Sequence, residues 1–483
     1  MARSPENIPD YAFVAVLAKS GKAYRAETAF GEAKSVHVGR KGLHGARAGE
    51  LVLIRESGRG RGEVERRLGR ADSLPDLTGA VMEYFRVPRG FSSRALSEGE
   101  AGAALADGGD PGRRDLTAMV SFTIDPDEAR DYDDAVSLEQ GPGEGEVTLY
   151  VHIADVSYYI EAGSVLDREA EKKAVSVYLP IAVEPMLPET LSNDICSLRP
   201  GIDRKCVTVE MTFRPGEAAG PDAGPADETD MMSPRSGEVR FYRSLIRSRA
   251  RLTYNQVDDY FAGNGGVEGE VAGRLRQCRS LASALKDARR RRGALAIQTF
   301  EPEFRLSAEN EVLGVRPSSA SLSHSLIEEF MIAANEAVAR FLERKDAPCI
   351  YRVHEEPDPA AVKALFDLME DLGIATPPFS LEEGSARRAG EAVRQLLQMH
   401  AAAGDRRQGT FFNETVLRSL KRACYLEQNL GHYGLASTAY LHFTSPIRRY
   451  PDLIVHRSLL AALGESDWNA SRLDLAGIAR HSS

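Results

Sequence analysis

The chain is poor in cysteine, and it contains no long apolar run. Its five cysteines are scattered, odd in number and never spaced as CxxC, so we expect reduced thiols and neither a disulfide framework nor a zinc site. No stretch approaches the roughly 18 apolar residues that cross a membrane, and the first residues contain no apolar signal-peptide core or cleavage site. We therefore expect a cytoplasmic protein that does not enter a membrane.

The bulk composition is that of an ordinary globular protein. Hydrophobic residues make up 42% and charged residues 27% of the 483-residue chain, which is long enough for two or three domains. The formal net charge of −10 argues against binding of a polyanion over the whole surface, but it leaves room for a local basic channel.

The first part of the chain predicts a small β-barrel over residues 8–72. Short alternating apolar runs occur at Phe13–Leu17, Ser35–Val38 and Leu51–Arg55, and glycine-containing turns separate them. The stretch Gly58–Gly62 has the composition of a hairpin tip.

The remainder predicts one large mixed α+β domain over residues 116–463, after a linker region at 73–115 that contains a helical segment. The end of that region, 97–114, is rich in Gly, Ala and Asp. Residues 214–237 are acidic, rich in Pro and Gly and without periodicity, which predicts a disordered surface insertion. Helical spacing of apolar residues is strongest in two segments, 324–342 and 452–463.

A dense acidic cluster at Asp125–Asp134 is the most informative segment. Five of its ten residues are aspartates, and it lies between two strand-like runs, Val120–Ile124 and Val147–Ile153. Carboxylates this close repel one another, so a cation between them would relieve the repulsion. Hard oxygen ligands suit Mg²⁺ or Mn²⁺, and a metal site of this composition typically acts on phosphates.

Two alternatives to a catalytic metal site stand beside it. The first is a solvated acidic turn, which is the usual state of a charge run. The second is a calcium loop of the EF-hand type, which the spacing disfavours. Counted from Asp125, Arg130 stands where such a loop needs glycine, and Val136 stands where it needs a bidentate glutamate.

A second constellation lies at His442–Leu453, where two adjacent arginines are flanked by prolines. Pro451 suits the first turn of the helix that follows, and a helix N-terminus exposes free N–H groups and positive potential. Arg448 and Arg449 at such a position make a phosphate site plausible, because a guanidinium can contact two phosphate oxygens. Two surface arginines at a helix start are the alternative.

The two constellations together resemble the RNase II / RNase R family of 3′→5′ exoribonucleases. The barrel resembles the family's cold-shock-like OB modules, chiefly through Gly45–Leu53. The matching segments occur in family order between about 116 and 462: Phe122–Val136, His152–Val156, Tyr178–Pro180, Pro185–Pro188, Leu191–Ser192, Cys196–Leu198, Arg251–Tyr254, Leu326–Met331, Tyr351–His354, Gly431–Gly434 and Phe443–Asp452.

The resemblance implies an α+β fold, with a small OB-like or cold-shock-like β-barrel followed by a large RNB-type catalytic domain. It implies a hydrolytic, processive, Mg²⁺-dependent enzyme that degrades single-stranded RNA without sequence preference and releases nucleoside 5′-monophosphates. One or two Mg²⁺ ions, for which Mn²⁺ can substitute, would be held by Asp125, Asp131, Asp133 and Asp134. Asp133 would also be catalytic, and Arg448 would contact the scissile phosphate.

Further roles follow from the resemblance. Tyr178 would stack on terminal nucleotides, with a core tyrosine as the alternative. Glu329 would touch ribose, with a surface charge on a helix as the alternative, and Arg449 would be structural or contact the substrate backbone. A structural role is favoured for three histidines, His152, His354 and His432. Two acidic residues match no family ligand and are expected to be solvated, Asp127 and Glu128.

The sequence departs from the family pattern in two places. The barrel segment Gly21–Ala26 offers only Tyr24 as a stacking face, which puts RNA capture by the barrel in doubt. The chain ends at Ser483, so residues 464–483 are expected to be the start of the family's closing helix, with the S1-type barrel absent. We expect a monomer whose partner is single-stranded RNA.

Local basic tracts could let an acidic protein bind RNA. The candidates are Arg289–Arg292 and Arg66–Arg67 with Arg70, and a solvated helix face is the alternative for an arginine run. Two other functions stay open: a catalytically silent RNA-binding regulator on the same fold, and a metal-dependent phosphatase or DNA nuclease with a similar carboxylate cluster.

Overall fold

A computed structural model describes residues 12–21, 23–58, 60–105, 110, 112–214, 239–297, 301–318, 321–381, 385–403, 409–470 and 473–483. The predicted insertion at 214–237 lies outside these residues, apart from Arg214. The chain divides into two compact units. The smaller contains residues 1–92, 176–185 and 302–318, and the larger contains 93–175, 186–301 and 319–483.

The described strands are β1 (Ala12–Ser20), β2 (Ala23–Thr28), β3 (Ser35–Val38), β4 (Glu50–Gly58), β5 (Arg61–Arg70), β6 (Arg114–Asp115), β7 (Phe122–Asp125), β8 (Asp134–Gln140), β9 (Val147–Ala154), β10 (Val177–Leu179), β11 (Ala182–Glu184), β12 (Asp203–Phe213), β13 (Val239–Arg247), β14 (Ala250–Thr253), β15 (Glu301–Leu306), β16 (Val312–Ser318), β17 (Tyr351–Val353) and β18 (Cys424–Leu426).

The described α-helices are α1 (Leu74–Tyr84), α2 (Ser93–Ala103), α3 (Val156–Tyr159), α4 (Val165–Lys173), α5 (Tyr254–Phe261), α6 (Gly269–Arg291), α7 (Leu322–Arg344), α8 (Pro359–Asp371), α9 (Ala386–Ala403), α10 (Gly409–Ser419), α11 (Tyr450–Ala462) and α12 (Leu475–His481).

The smaller unit contains the predicted barrel, closed in the order β1-β2-β3-β5-β4. Its strands alternate apolar and polar residues, so that Leu17, Val36 and Val38 face a common core. The wall is packed tightly: a Cβ at Gly62 would lie 2.7 Å from Ile54 Cγ2, which leaves room for glycine alone. The expected α+β class with an N-terminal barrel is confirmed.

The larger unit is built on a seven-stranded mixed sheet in the order β14-β7-β8-β9-β12-β13-β6. The central pairs are antiparallel, while β14 with β7 and β13 with β6 are parallel. Residues such as Phe122, Val151 and Val209 form one core with Phe330 and Val338 of α7. The sheet therefore gives β7 and β8 a rigid support.

The strongly periodic segments are where they were predicted, with small differences at their ends. The helix expected at 324–342 extends over Leu322–Arg344, because Ser321 Oγ accepts a hydrogen bond from His324 N–H and caps its start. The helix expected at 452–463 is Tyr450–Ala462. The compositional linker at 97–114 is helical as far as Ala103. The domain boundaries drawn from the sequence stay a prediction.

Histidine 152 has the structural role expected for it. Its ring is fully buried on β9, with Ser137 Oγ 3.1 Å from Nε2 and Thr208 Oγ1 2.8 Å from Nδ1. Burial lowers the pKa of His152 to about 3, so the ring is neutral at physiological pH.

Candidate active site

The four predicted aspartates lie around one β-hairpin connection. Asp125 is the last residue of β7 and Asp134 is the first residue of β8, and residues 126–133 between them have no regular secondary structure. Asp131 and Asp133 lie near the end of this connection. Asp125 and Asp134 are held in place by the strands to which they belong. Asp131 and Asp133 depend on contacts with other parts of the fold.

The electrostatics show that these carboxylates are crowded. Burial, reinforced by the neighbouring Asp134, raises the pKa of Asp125 to about 7. Burial also raises the pKa of Asp134 to about 6 against the opposing effect of Arg448. Burial raises the pKa of Asp133 well above its usual range, and Arg448 only partly offsets this. Ionising all of them together is costly without additional positive charge.

These residues fit a divalent cation. The Oδ2 atom of Asp125 is buried and has no hydrogen-bond partner. Within the described residues, no three Asp, Glu, His or Cys side chains converge into a ready-made cage. Mg²⁺ does not need one, because it typically binds through one or two carboxylates and completes its shell with water and substrate phosphate oxygens. An oxygen-only donor set with an unsatisfied buried oxygen matches that preference.

The second constellation meets the first at Asp133. The backbone N–H of Ile447 donates to Asp133 Oδ1 at 2.8 Å, and Arg448 Nε lies 3.6 Å from Asp133 Oδ2. Arg448 Nη2 also donates to Ser445 Oγ at 3.1 Å. The Arg448 side chain remains 47% exposed, so its guanidinium retains donors for another anion.

Arg449 has a different environment from its neighbour. Its guanidinium donates two hydrogen bonds to Asp452, from Nε at 2.9 Å and from Nη2 at 2.6 Å. The Asp452 carboxylate is fully buried and also accepts the backbone N–H of Ser445 at 2.8 Å. These contacts support the structural role for Arg449 and disfavour a contact with the substrate backbone.

Glu329 is not a surface charge. It lies on α7 with 2% of its side chain exposed, and Arg289 holds it with two hydrogen bonds, from Nη2 at 2.5 Å and Nε at 3.1 Å. The expectation of an exposed charge is therefore wrong, and the pairing disfavours the predicted contact with ribose. The sequence could not show this, because the partner is on another helix.

The two basic tracts are largely engaged in ion pairs. In the tract Arg289–Arg292, the first and last arginines face α7, since Arg289 pairs with Glu329 and Arg292 pairs with Glu336 at 3.2 Å. The alternative of a fully solvated helix face is therefore wrong for this tract. In the smaller unit each arginine of the other tract has an acidic partner, with Arg66 bound to Glu83, Arg67 to Glu50 and Arg70 to Asp72. Lining of an RNA channel by either tract stays a prediction.

Tyr178 lies on β10, in the smaller unit, and pairs in register with Val183 of β11. Its side chain is 49% exposed, which makes the alternative of a core tyrosine wrong. Stacking on nucleotides stays a prediction for this residue.

The segment Arg251–Tyr254 matches the family pattern, but the sequence alone assigns it no role. The Arg251 guanidinium donates to the carbonyls of Pro126 and Asp127, and Asn255 Nδ2 donates to Asp127 Oδ2 at 2.8 Å. Asp127 is exposed, as expected, but it is also anchored. The match to the family pattern indicates that this segment matters. Only the fold shows that it supports the aspartate loop.

Crowded carboxylates beside a half-exposed arginine are groups that can bind a divalent cation and an anion close together. The family model described as the RNB domain matches residues 113–465. The chain therefore belongs to the RNB-domain family.

In the described part of the chain, no helix is long and apolar enough to cross a membrane.

Several curated relatives are ribonucleases R. The chain is 35% identical to Ribonuclease R of Aquifex aeolicus over 447 residues, which cover 88% of this chain and 58% of that protein. It is 38% identical to Ribonuclease R of Thermotoga maritima over 404 residues, covering 82% and 53%. It is 37% identical to Ribonuclease R of Escherichia coli over 352 residues, which cover 72% of this chain and 40% of that protein. The chain thus spans about half the length of these relatives.

Solved structures show the same fold. Mycoplasma genitalium RNase R in complex with ribose-methylated single-stranded RNA superposes with a TM-score of 0.78 at 25% identity, covering 98% of this chain and 72% of that one. Yeast Ssd1, a pseudonuclease, superposes with a TM-score of 0.68 at 17% identity, covering 99% and 58%, and is similar in fold alone.

Proposed function

We propose that this chain is a hydrolytic, processive 3′→5′ exoribonuclease that requires Mg²⁺ and releases nucleoside 5′-monophosphates from single-stranded RNA. The observation that carries the proposal is the meeting of the aspartate cluster with Arg448 at Asp133. Direction and processivity are proposed from family membership, together with the likeness to an RNase R solved with single-stranded RNA.

The acidic side chains would hold the metal and exclude other anions. Asp125, Asp131, Asp133 and Asp134 are the proposed ligands for one or two Mg²⁺ ions, with Mn²⁺ as a substitute. When bound, Mg²⁺ supplies the Lewis acidity that activates a water and offsets phosphate charge, so no side-chain nucleophile is required.

Arg448 would act on the phosphate itself. Its exposed guanidinium can donate to a non-bridging oxygen of the scissile phosphate and stabilise the negative charge that develops in the transition state. Asp133 and the Ser445 hydroxyl hold the guanidinium in place before substrate arrives. Contacts to phosphate and stacking on base faces carry little sequence information, which agrees with degradation without sequence preference.

The direct test uses one single-stranded RNA labelled in two ways. With Mg²⁺ present, a 3′ label should be released early as a mononucleotide, while a 5′ label should remain on shortening products. Asp133→Asn should abolish cleavage and retain RNA binding, because the side-chain shape is kept while a charge is lost. Glu128→Gln, the same kind of change at an exposed residue of the same loop, should cleave normally.

The outcomes separate the alternatives. RNA binding without release of mononucleotides would point to a silent regulator, although all four aspartates and Arg448 are present. Equal hydrolysis of DNA and RNA of one sequence would favour a nuclease that does not read the ribose 2′-OH. Normal cleavage by Asp133→Asn would show that the metal assignment is wrong.

A further inference from the structure

The loop that carries two of the proposed metal ligands, Asp131 and Asp133, is held by contacts with other segments rather than by a β-ladder. Residues 126–133 belong to neither strand of the hairpin, so no β-ladder holds Asp131 in place. A carboxylate on a loop loses conformational freedom when it binds a cation, and contacts that fix the loop beforehand reduce this loss. The residues that anchor the loop therefore influence how well it holds a metal.

The first half of the loop is anchored from β14 and α5. Arg251 donates to the carbonyl of Pro126 and, from Nη2 at 2.9 Å, to the carbonyl of Asp127. Its guanidinium also lies 5.5 Å from the ring centre of Tyr132. Asn255 adds a hydrogen bond to the Asp127 carboxylate. Apart from the Tyr132 ring, the groups that these contacts hold lie at Pro126 and Asp127.

In the second half, Asp133 is held by the N–H groups of Ile447 and Ala154, and one hydroxyl group anchors the backbone on either side of Asp131. Tyr132 N–H donates to Ser197 Oγ at 3.1 Å, and Ser197 Oγ–H donates to the Arg130 carbonyl at 2.7 Å. The two bonded residues flank Asp131 on either side. Leu198 N–H extends the contact by donating to the Tyr132 carbonyl at 3.0 Å. Ser197 is fully buried, so bulk water does not compete for these hydrogen bonds.

Ser197 is itself held by the sheet. Arg204 of β12 is buried, and its Nε donates to the Ser197 carbonyl at 2.9 Å while its Nη2 donates to the Asp194 carbonyl at 3.0 Å. A rigid strand thus fixes Ser197, and Ser197 fixes the backbone on both sides of Asp131.

We propose that Ser197 is a positioning residue that sets the direction of Asp131 toward the divalent cation. The inference rests on the proposed function, because it assumes that the aspartates bind metal. Ser197 touches neither metal nor RNA in this role. Partners that orient metal ligands are worth about 10–100-fold in metal affinity or activity, which sets the size of the expected effect.

The test measures Mn²⁺ binding to the whole protein by electron paramagnetic resonance, without RNA. Ser197→Ala removes both hydrogen bonds and should weaken Mn²⁺ binding by about 10-fold or more. The matched control is Ser248→Ala, a buried serine whose hydroxyl donates to the Ala250 carbonyl rather than to the aspartate loop. That variant should bind Mn²⁺ as the unmodified protein does.

A second readout uses RNA cleavage as a function of Mg²⁺ concentration. Ser197→Ala should need a correspondingly higher Mg²⁺ concentration for half-maximal rate, with KM for RNA unchanged and the rate restored at saturating Mg²⁺. A loss of rate that Mg²⁺ does not restore, or Mn²⁺ binding equal to that of Ser248→Ala, would overturn the proposal.

If Ser197→Ala does not fold, Ser197→Cys decides, because the somewhat larger thiol leaves no cavity but forms weaker hydrogen bonds. Weaker Mn²⁺ binding by the folded cysteine variant supports the role, and unchanged binding overturns it. Failure of the proposed function looks different: the unmodified protein would bind Mn²⁺ and release no mononucleotide, or bind no Mn²⁺ at all.

Discussion

Asp133 and Arg448 face each other across the site, with Arg448 Nε 3.6 Å from Asp133 Oδ2 and the adjacent Ile447 N–H bound to the other carboxylate oxygen. The sequence alone leaves the function of each segment open. The segment of Asp133 could be a solvated acidic turn, and that of Arg448 could be two surface arginines at a helix start. Their contact joins the two segments into one site, and it gives Arg448 a different environment from Arg449, which is bound to Asp452.

Replacing Arg448 should affect catalysis more than binding. Arg448→Ala is expected to lower kcat by about 10²–10³-fold, the usual cost of losing a donor to transition-state charge, while RNA affinity changes little. Single-turnover cleavage and equilibrium binding measured on the same RNA check this. The control is Arg387→Ala, an exposed arginine on α9 paired with Glu391. Equal loss of binding and rate would assign Arg448 to binding alone.

The exposed ring of Tyr178 should contribute to RNA affinity. Tyr178→Ala is expected to weaken binding of a short single-stranded RNA by about 1–3 kcal/mol, the range for one stacked base, whereas Tyr178→Phe should keep it. Val183→Ala changes the cross-strand neighbour in the same small hairpin and serves as control. If the phenylalanine variant binds as weakly as the alanine variant, the hydroxyl rather than the ring is responsible.

Glu329 should matter for stability rather than for RNA. Glu329→Ala removes both hydrogen bonds from the buried Arg289, which keeps its 3.7 Å contact with the half-exposed Glu328, and is expected to cost about 3 kcal/mol in the free energy of unfolding. Glu328→Ala, at the adjacent half-exposed position, should cost much less. Urea denaturation of both variants gives the comparison. A stable Glu329→Ala protein with weakened RNA binding would instead support the predicted ribose contact.

Acid should destabilise the larger unit through its buried histidines. The pKa of His152 is lowered to about 3 in the fold, and desolvation also lowers the pKa of His432 to about 3. The unfolded chain takes up protons below about pH 6.5 while the fold does not. The stabilising contribution is therefore complete above pH 6.5 and falls by up to about 1.4 kcal/mol per pH unit per histidine toward pH 3.

Urea denaturation between pH 7 and pH 4 measures this contribution as the difference in slope between the unmodified protein and His152→Gln, because the raised pKa values of Asp125 and Asp134 act on the total slope in the opposite direction. His152→Gln should be less stable at pH 7 but should lose less stability on acidification. His37→Gln, on an exposed position of β3, should keep the slope of the unmodified protein. An unchanged slope in His152→Gln would show that this histidine is not the group that resists protonation.

Much of the architecture was predictable because local patterns carry it. The alternating runs at Phe13–Leu17 and Leu51–Arg55 lie in β1 and β4, and the periodic segment at 324–342 is the body of α7. Side-chain periodicity is a property of neighbouring residues, so the sequence contains it directly. Ion pairing is not such a property. Glu329 and Arg289 lie on different helices, and only their packing shows that both charges are used.

The sequence by itself determined the chemistry available to this protein: five aspartates in ten residues, two arginines before a helix, and the strands and helices on which they lie. Only the tertiary structure decided how these groups are used. It brings Arg448 to Asp133 and pairs Arg449 with Asp452. It also buries Glu329 against Arg289, and it bonds the Ser197 hydroxyl to the backbone on both sides of Asp131. The physical reason is that charge and hydrogen-bond energies depend on distance and burial, which arise only when distant segments pack together.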